Sequence, residues 1–351
     1  VRLLAMLAAL LLGGCETVRY YLQSAGGQLD LMARSRPIHE LIDDPESAPS
    51  MQAQLQFVQR VRRFAVTHLD LPDNSSYRSY ADVQREALVW SVVAAPALSL
   101  EPYQWCYPVI GCANYRGYFQ LSDAQALANR MRQKGWDVAI EPVPAYSTLG
   151  WFADPLPSTV VAWPEPELAG LIFHELAHQR LYAVDDSAFN ESYATVVEQE
   201  GVRRWLKENA SAEVLARWHL QRERKKEFAA LIADMRRELA IVYASDAEEH
   251  VKLLGKTRLF DRLRQEYRQL KKQWGGYTGF DRWVARDLNN AHLASFQTYS
   301  EWVPALRELL RETGEKWPAF HSRCEALAAL DLEQRQHALH KLQTRAHKFS
   351  E

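Results

Sequence analysis

The stretch GLIFHELAHQRL, residues 170–181, decides how the rest of the chain is read. It fits a helix that starts near Pro166, since proline is tolerated in a first turn, and that runs to about Tyr182. One turn apart on such a helix, His174 and His178 point the same way, so their imidazoles can converge on one ion. Glu175 lies beside that face, where it can take a proton from water at the ion without ligating it. Two surface histidines on an ordinary amphipathic helix would use the same letters, so the reading depends on what else the chain supplies.

Zinc is the ion this pattern suits, a Lewis acid that lowers the pKa of water to about 7. A catalytic zinc needs a third protein ligand and one open position. Residues 185–201, DDSAFNESYATVVEQEG, begin with helix-capping chemistry at Asp185, Asp186 and Ser187 and continue with helical spacing, so a second helix returns beside the first. Glu191, near its start, is the best third ligand. Glu198, two turns further along the same face, is the rival.

Above the metal, AYSTLGWF (145–152) is the candidate edge strand for a peptide substrate. Tyr146, Ser147, Thr148, Leu149 and Gly150 would give backbone hydrogen bonds by strand addition. An ordinary loop with a packing Trp151 fits the same letters. Arg116, in YRGYF, offers a carboxylate-binding guanidinium or else a surface charge on an aromatic strand. An oxyanion needs a donor besides the metal. Asn289, His292, Phe296 and Tyr299 fall in one helical stripe, so His292 or Tyr299 could serve, with a core role as the alternative. Tyr277 in WGGYTG is a further candidate.

At 351 residues, with 47 % hydrophobic and 11 % aromatic residues, the composition is that of a core-forming chain. The formal charge of −2, with both signs interspersed, gives no sign of a nucleic-acid partner. Runs such as QRERKKE read as solvated helix faces. Residues 1–14, VRLLAMLAALLLGG, have the arrangement of a signal peptide and are too short to span a bilayer. Leu12-Gly13-Gly14-Cys15 resembles a bacterial lipobox, which would make Cys15 the lipidated first residue of an exported protein anchored in a membrane by acyl chains. Without Asp after the Cys, the outer membrane is the expected destination, facing the periplasm. In that oxidising compartment Cys106 and Cys112 are close enough to clip a short loop, and Cys324 remains a buried apolar residue.

The boundaries that follow are 1–14 signal peptide, 15–25 tether, 26–312 a single metallopeptidase domain and 313–351 a C-terminal helical extension. Within the domain, residues from about 90 to 200 read as mixed α and β, with strands in SVVAAP, RGYFQL, WDVAIEPV and STVVAW. Between them LSDAQALANRMRQKG (121–135) is a helix with Ser122 as N-cap and Gly135 as terminator. Residues from about 201 to 312 read as helical. The fold class is α+β, mostly helical, of the zincin-like kind: a small sheet packed on the HExxH helix and a helical C-terminal region.

From Tyr20 to about Leu306 the chain resembles a family of bacterial zinc aminopeptidases, usually lipoproteins, within the HExxH superfamily related to the gluzincins. The resemblance runs through GQLDL, RPIHELI, RRFA, WCYPVIGCANYRGYF, AYSTLGWFADP, GLIFHELAHQ, FNESYA and NNAHLASFQTYSEWVP. It implies peptide-bond hydrolysis with a single zinc, His174, His178 and Glu191 at the zinc positions and Glu175 as general base. Asn190-Glu191-Ser192-Tyr193-Ala194 is similar to the Asn-Glu-x-Phe-Ala that carries the zinc-binding Glu of aminopeptidase N-like enzymes, although only 12 residues separate His178 from Glu191 here. No Gly-x-Met-Glu-Asn string, the element that reads a free α-amine, is present. Two other classes fit the sequence less well: a lipoprotein that keeps zinc for structure and binds peptides or envelope partners, and a helical adaptor without metal.

Overall fold

The computed structural model describes residues 2–107, 111–297 and 301–348, with side chains left aside at 2–16, 111, 295–297 and 347–348. The chain opens with α1 (Arg2–Ala33), β1 (Ser35–Pro37) and α2 (Ile38–Asp43), followed by α3 (Pro49–Leu69). α3 has proline in its first turn and stops where Asp70 turns left-handed at φ 54°. Its Leu55, Val58, Val61, Ala65 and Leu69, spaced by three and four, are fully buried, the stripe expected of a helix laid on a core.

The strands come next: β2 (Ser79–Ala81), β3 (Val89–Pro96), β4 (Trp105–Tyr107), β5 (Gly111–Ala113) and β6 (Arg116–Tyr118). After α4 (Leu121–Gln133) come β7 (Trp136–Val143) and β8 (Leu156–Pro157). β3 is the centre of an antiparallel sheet of order β6–β3–β7. Alternation along β3 and β7 sends Val92, Ala94 and Val138 to α4 on one face. Val93 and Ala139 go to the other face, against Ala291 and Ala294. β4 and β5 form a hairpin in which Cys106 stands opposite Cys112, and the two are joined as a disulfide. Cys324 is free and buried.

Helices dominate from there: α5 (Ser158–Val161), α6 (Glu165–Arg180), α7 (Ser187–Asn209), α8 (Ala212–Ala244), α9 (Glu249–Gln273), α10 (Asp281–Val284), α11 (Asn290–Gln297), α12 (Val303–Glu312), α13 (Trp317–Ala328) and α14 (Leu332–Lys348). The class is α+β and mostly helical, as the sequence pattern implies. α8 and α9 form a hairpin with its own apolar cluster. The main cluster joins α3, α6, α7 and α12 with Phe320 and Cys324 of α13 and Leu339 and Leu342 of α14.

Several local expectations are corrected. α6 packs most extensively on α7 and then on α3, while the β6–β3–β7 sheet is covered by α4 and α11, so the sheet is not the floor of the HELAH helix. STVVAW is not a strand: only Leu156–Pro157 pair with β2, and Ser158–Val161 form a helical turn against α3. The stretch from Tyr146 to Gly150 is a loop, because Leu149 (φ 56°) and Gly150 (φ 82°) are both left-handed, which ends any extended run. Asp154 holds this loop instead, taking the Thr148 N–H at 2.9 Å and the Thr148 hydroxyl at 2.7 Å. The N-cap position of α4 is Gln120 rather than Ser122, without a side-chain cap.

Contact between α6 and α7 is close because small residues face across it. A Cβ on Gly201 of α7 would lie 2.7 Å from Leu69 and 2.8 Å from Phe173, both fully buried. Gly201→Val is expected to lower stability by about 1–3 kcal/mol, an overpacking cost read as an earlier urea midpoint with an unchanged slope.

Candidate metal centre

α6 is buried on almost every side, with Leu168, Ile172, Phe173, Leu176 and Ala177 fully inaccessible. Glu165 and Glu167 in its first turn and His178 and Arg180 in its last suit the helix dipole. The turn into α7 is built from side chains. Asn190 imitates a strand partner, its carbonyl accepting from Ala183 N and its amide donating to Ala183 O, both at 2.7 Å. Asp186 caps α7 by accepting the Phe189 N–H at 3.0 Å, an interaction worth about 1 kcal/mol.

This turn brings Glu191 onto the two histidines. The Nε2 atoms of His174 and His178 are 3.1 Å apart. The carboxylate of Glu191 reaches them at 3.3 Å and 3.6 Å respectively. One ligand atom from each of the three side chains lies within 4.8 Å of the others, close enough for a single ion to take all three. Among the described residues this is the one group of three or more His, Cys, Asp or Glu that could hold a metal ion.

Glu198 stands on the other side of the ring. Its carboxylate lies 3.1 Å from Nδ1 of His174, with Nε2 turned toward Glu191. A His with one nitrogen on a metal needs its other N–H directed to an acceptor, and Glu198 is that acceptor. A Cβ on Gly170 would come within 3.3 Å of Glu198 Cγ, so the glycine makes room for this carboxylate between the helices. The other ring nitrogen of His178, Nδ1, is buried with no protein partner among the described residues.

Three carboxylates and two imidazoles in so small a volume perturb one another. Burial raises the carboxyl of Glu175 above its ordinary value, more than the neighbouring histidines lower it. For Glu191, burial acts in the same direction but is overcome by hydrogen bonds to both histidines, which hold it at about 2. Burial disfavours charge on His174, yet its bonds to Glu191 and Glu198 outweigh that and raise it well above the usual histidine range. Without an ion, a proton does the work of the cation.

A family model described as "Putative aminopeptidase" matches residues 19–339. The chain belongs to that family. No curated protein and no solved structure matches it. Membership in the aminopeptidase family makes peptide hydrolysis the coarse activity class, and the residues just described are the ones available to carry it.

Around His174 and Glu175 the structure adds residues that sequence patterns missed. Gln179, directly after His178, accepts from Asn74 at 2.6 Å and donates to Ser76, Ser147 and Asp154 at 3.1–3.3 Å. The LPDNSSY turn and the 145–154 loop are thereby tied to the end of α6. Tyr77, buried and left-handed at φ 59°, has its phenol raised by burial and then by the charges of Glu175 and Asp154. Only the position of Gln179 in HELAHQ offered any sequence signal.

Other candidates sit elsewhere. Arg116 stands on the aromatic strand β6 but is buried rather than at the surface, its guanidinium 4.2 Å from the ring centre of Tyr20. His292 is buried on Asn289 at the start of α11, a helix set by β3, β7 and α8, and burial lowers it to about 4. Tyr277 lies under Arg224 in the α8–α9 region. Tyr299 is outside the described residues.

Two outcomes follow. Glu198→Ala is expected to weaken zinc binding about 10–100-fold and Glu191→Ala more, measured by chelator competition. For the metal-free chain, stability from His174 is full below its ordinary 6.5 and is lost as pH rises through its raised value. Stability from Glu191 is full above 4.5 and is lost as pH falls toward about 2. Melting temperature without metal should therefore peak between those ordinary values, and a saturating ion should flatten the fall on the alkaline side.

Proposed function

We propose that this member of the aminopeptidase family is a zinc-dependent metallopeptidase whose ligands are His174, His178 and Glu191. The observation that carries the reading is the convergence of those three side chains, within 4.8 Å of one another, beside a buried Glu175. Zinc held there would polarise a peptide carbonyl and make water acidic enough to attack near neutral pH.

Glu175 serves as the general base. Its position one residue after His174 leaves it off the ligand face, and its burial raises its proton affinity toward the range in which a carboxylate can accept a proton and later return it. The proton taken from the attacking water goes to the leaving amine, so that the base ends each cycle ionised. Glu198 fixes the ring of His174, and Gln179 with Asp154 fixes the loop that enters the site from the side. On that loop Trp151 is 82 % exposed and Phe152 46 %, an apolar lip on a hydrogen-bonded base, suited to the side chains of a peptide.

The setting proposed is the periplasmic face of the bacterial outer membrane, with the chain held by acyl groups on Cys15. The Cys106–Cys112 disulfide is consistent with an oxidising compartment.

Glu175→Gln keeps the shape and removes the base. Expected are retained zinc and hydrolysis of a random peptide pool reduced by about 10²–10⁴-fold, read by mass spectrometry of the products. Unchanged cleavage would rule out Glu175 as base, and an absence of stoichiometric zinc in the wild type would sink the metallopeptidase reading.

A further inference from the structure

His174, Glu175, His178, Glu191 and Glu198 all lie between 174 and 198, yet the start of α7 is held by segments far beyond them. Arg335 of α14 is 4 % exposed, and all three nitrogens of its guanidinium donate hydrogen bonds. Nη1 donates to Asp186 Oδ2 at 2.6 Å, Nε to Leu327 O at 3.1 Å, and Nη2 to the carbonyls of Ala328 and Leu330 at 3.0 and 2.8 Å. The same group lies 5.5 Å from the ring centre of Phe189. Asp186 divides its carboxylate: Oδ2 takes Arg335, and Oδ1 takes the Phe189 N–H that opens α7.

Two further buried contacts act on the residues after Glu191. Ser192 accepts the Trp302 N–H at 3.0 Å. Tyr193 shares a 2.8 Å hydrogen bond with Nδ1 of His321, whose Nε2 donates to Leu69 O at 2.8 Å. So the residues five before, one after and two after Glu191 are each pinned by a different segment.

Such pinning matters because a helix packed by apolar contacts alone can turn about its axis. At a side-chain radius of about 5–6 Å, a turn of about 10° moves a carboxylate by about 1 Å, several times the about 0.2 Å that metal–ligand distances tolerate. Directional hydrogen bonds to a buried guanidinium that is itself held by three backbone carbonyls resist that turn, because each has a preferred angle as well as a length.

From this we infer that Arg335 is a positioning residue of the metal centre, acting through Asp186 to set the rotation of α7 and hence the reach of Glu191. The inference rests on the metallopeptidase reading and assigns the C-terminal helices a share in the site.

The test is zinc affinity of the full-length chain, by competition with a chromophoric chelator, in a double-mutant cycle. Arg335→Met is expected to weaken zinc at least 10-fold in the wild-type background and by less than twofold in the Glu191→Ala background, since its effect passes through that carboxylate. Equal weakening in both backgrounds would mean a general loosening of the fold and would overturn the inference. If Arg335→Met alone fails to fold, Asp186→Asn with Arg335→Met removes both buried charges and keeps a good capping residue. It should show the same pattern, and wild-type affinity in that variant also overturns the inference. A wild-type chain that takes up no zinc overturns the metallopeptidase reading and this inference together. A zinc-binding wild type with an unaffected Arg335→Met overturns the inference alone.

Discussion

Much in this molecule answers to one electrostatic constraint: Glu175, Glu191 and Glu198 gather between α6 and α7, offset by His174 and His178, with Lys225 and Arg222 adding to the balance at Glu198. Carboxylates withdrawn from water are costly unless paired and hydrogen-bonded. The geometry meets part of that cost by setting His174 between Glu198 on one nitrogen and Glu191 on the other, with Nε2 of His178 also facing Glu191. A divalent ion would settle the balance further, since it adds positive charge where two lone pairs and a carboxylate already converge.

The same constraint explains why the helices around the centre are so closely fitted. Glycines at 170 and 201 let α6 and α7 approach until the charged groups touch. The NESYA segment then becomes intelligible residue by residue. Asn190 makes the turn, Glu191 faces the histidines, and Ser192 and Tyr193 fasten the helix to Trp302 and His321. One carboxylate of the motif faces the histidines, and its neighbours hold the helix that carries it.

How much of this could be read in the letters differs from feature to feature. The 3.6-residue period placed α6 and α7, and capping residues at 185–187 placed the turn between them, because both are local effects of backbone geometry. The alternation in WDVAIEPV and SVVAAP gave two strands for the same reason. AYSTLGWF and STVVAW misled because short apolar runs suit a strand, a loop or a helical turn alike. What shapes the first is Asp154, which gathers Ser147 and Thr148 of the loop and Gln179 from α6. His292 misled in another way: a helical stripe gives direction on a helix but not which layer the helix joins, and α11 joined the sheet.

By itself, then, the sequence determined the local chemistry: two histidines one turn apart, a carboxylate beside them, a second capped helix bearing two glutamates, and a chain apolar enough to bury them. The choice between those glutamates belonged to the tertiary structure, since both lie on one face of α7 and only the rotation and depth of that helix against α6 direct Glu191 to Nε2 and Glu198 to Nδ1. The start of that helix is hydrogen-bonded by Trp302, His321 and Arg335, from as far as 149 positions away in the case of Asp186 and Arg335. Local propensity carries no information about such partners, because their energies arise only after the chain has closed on itself.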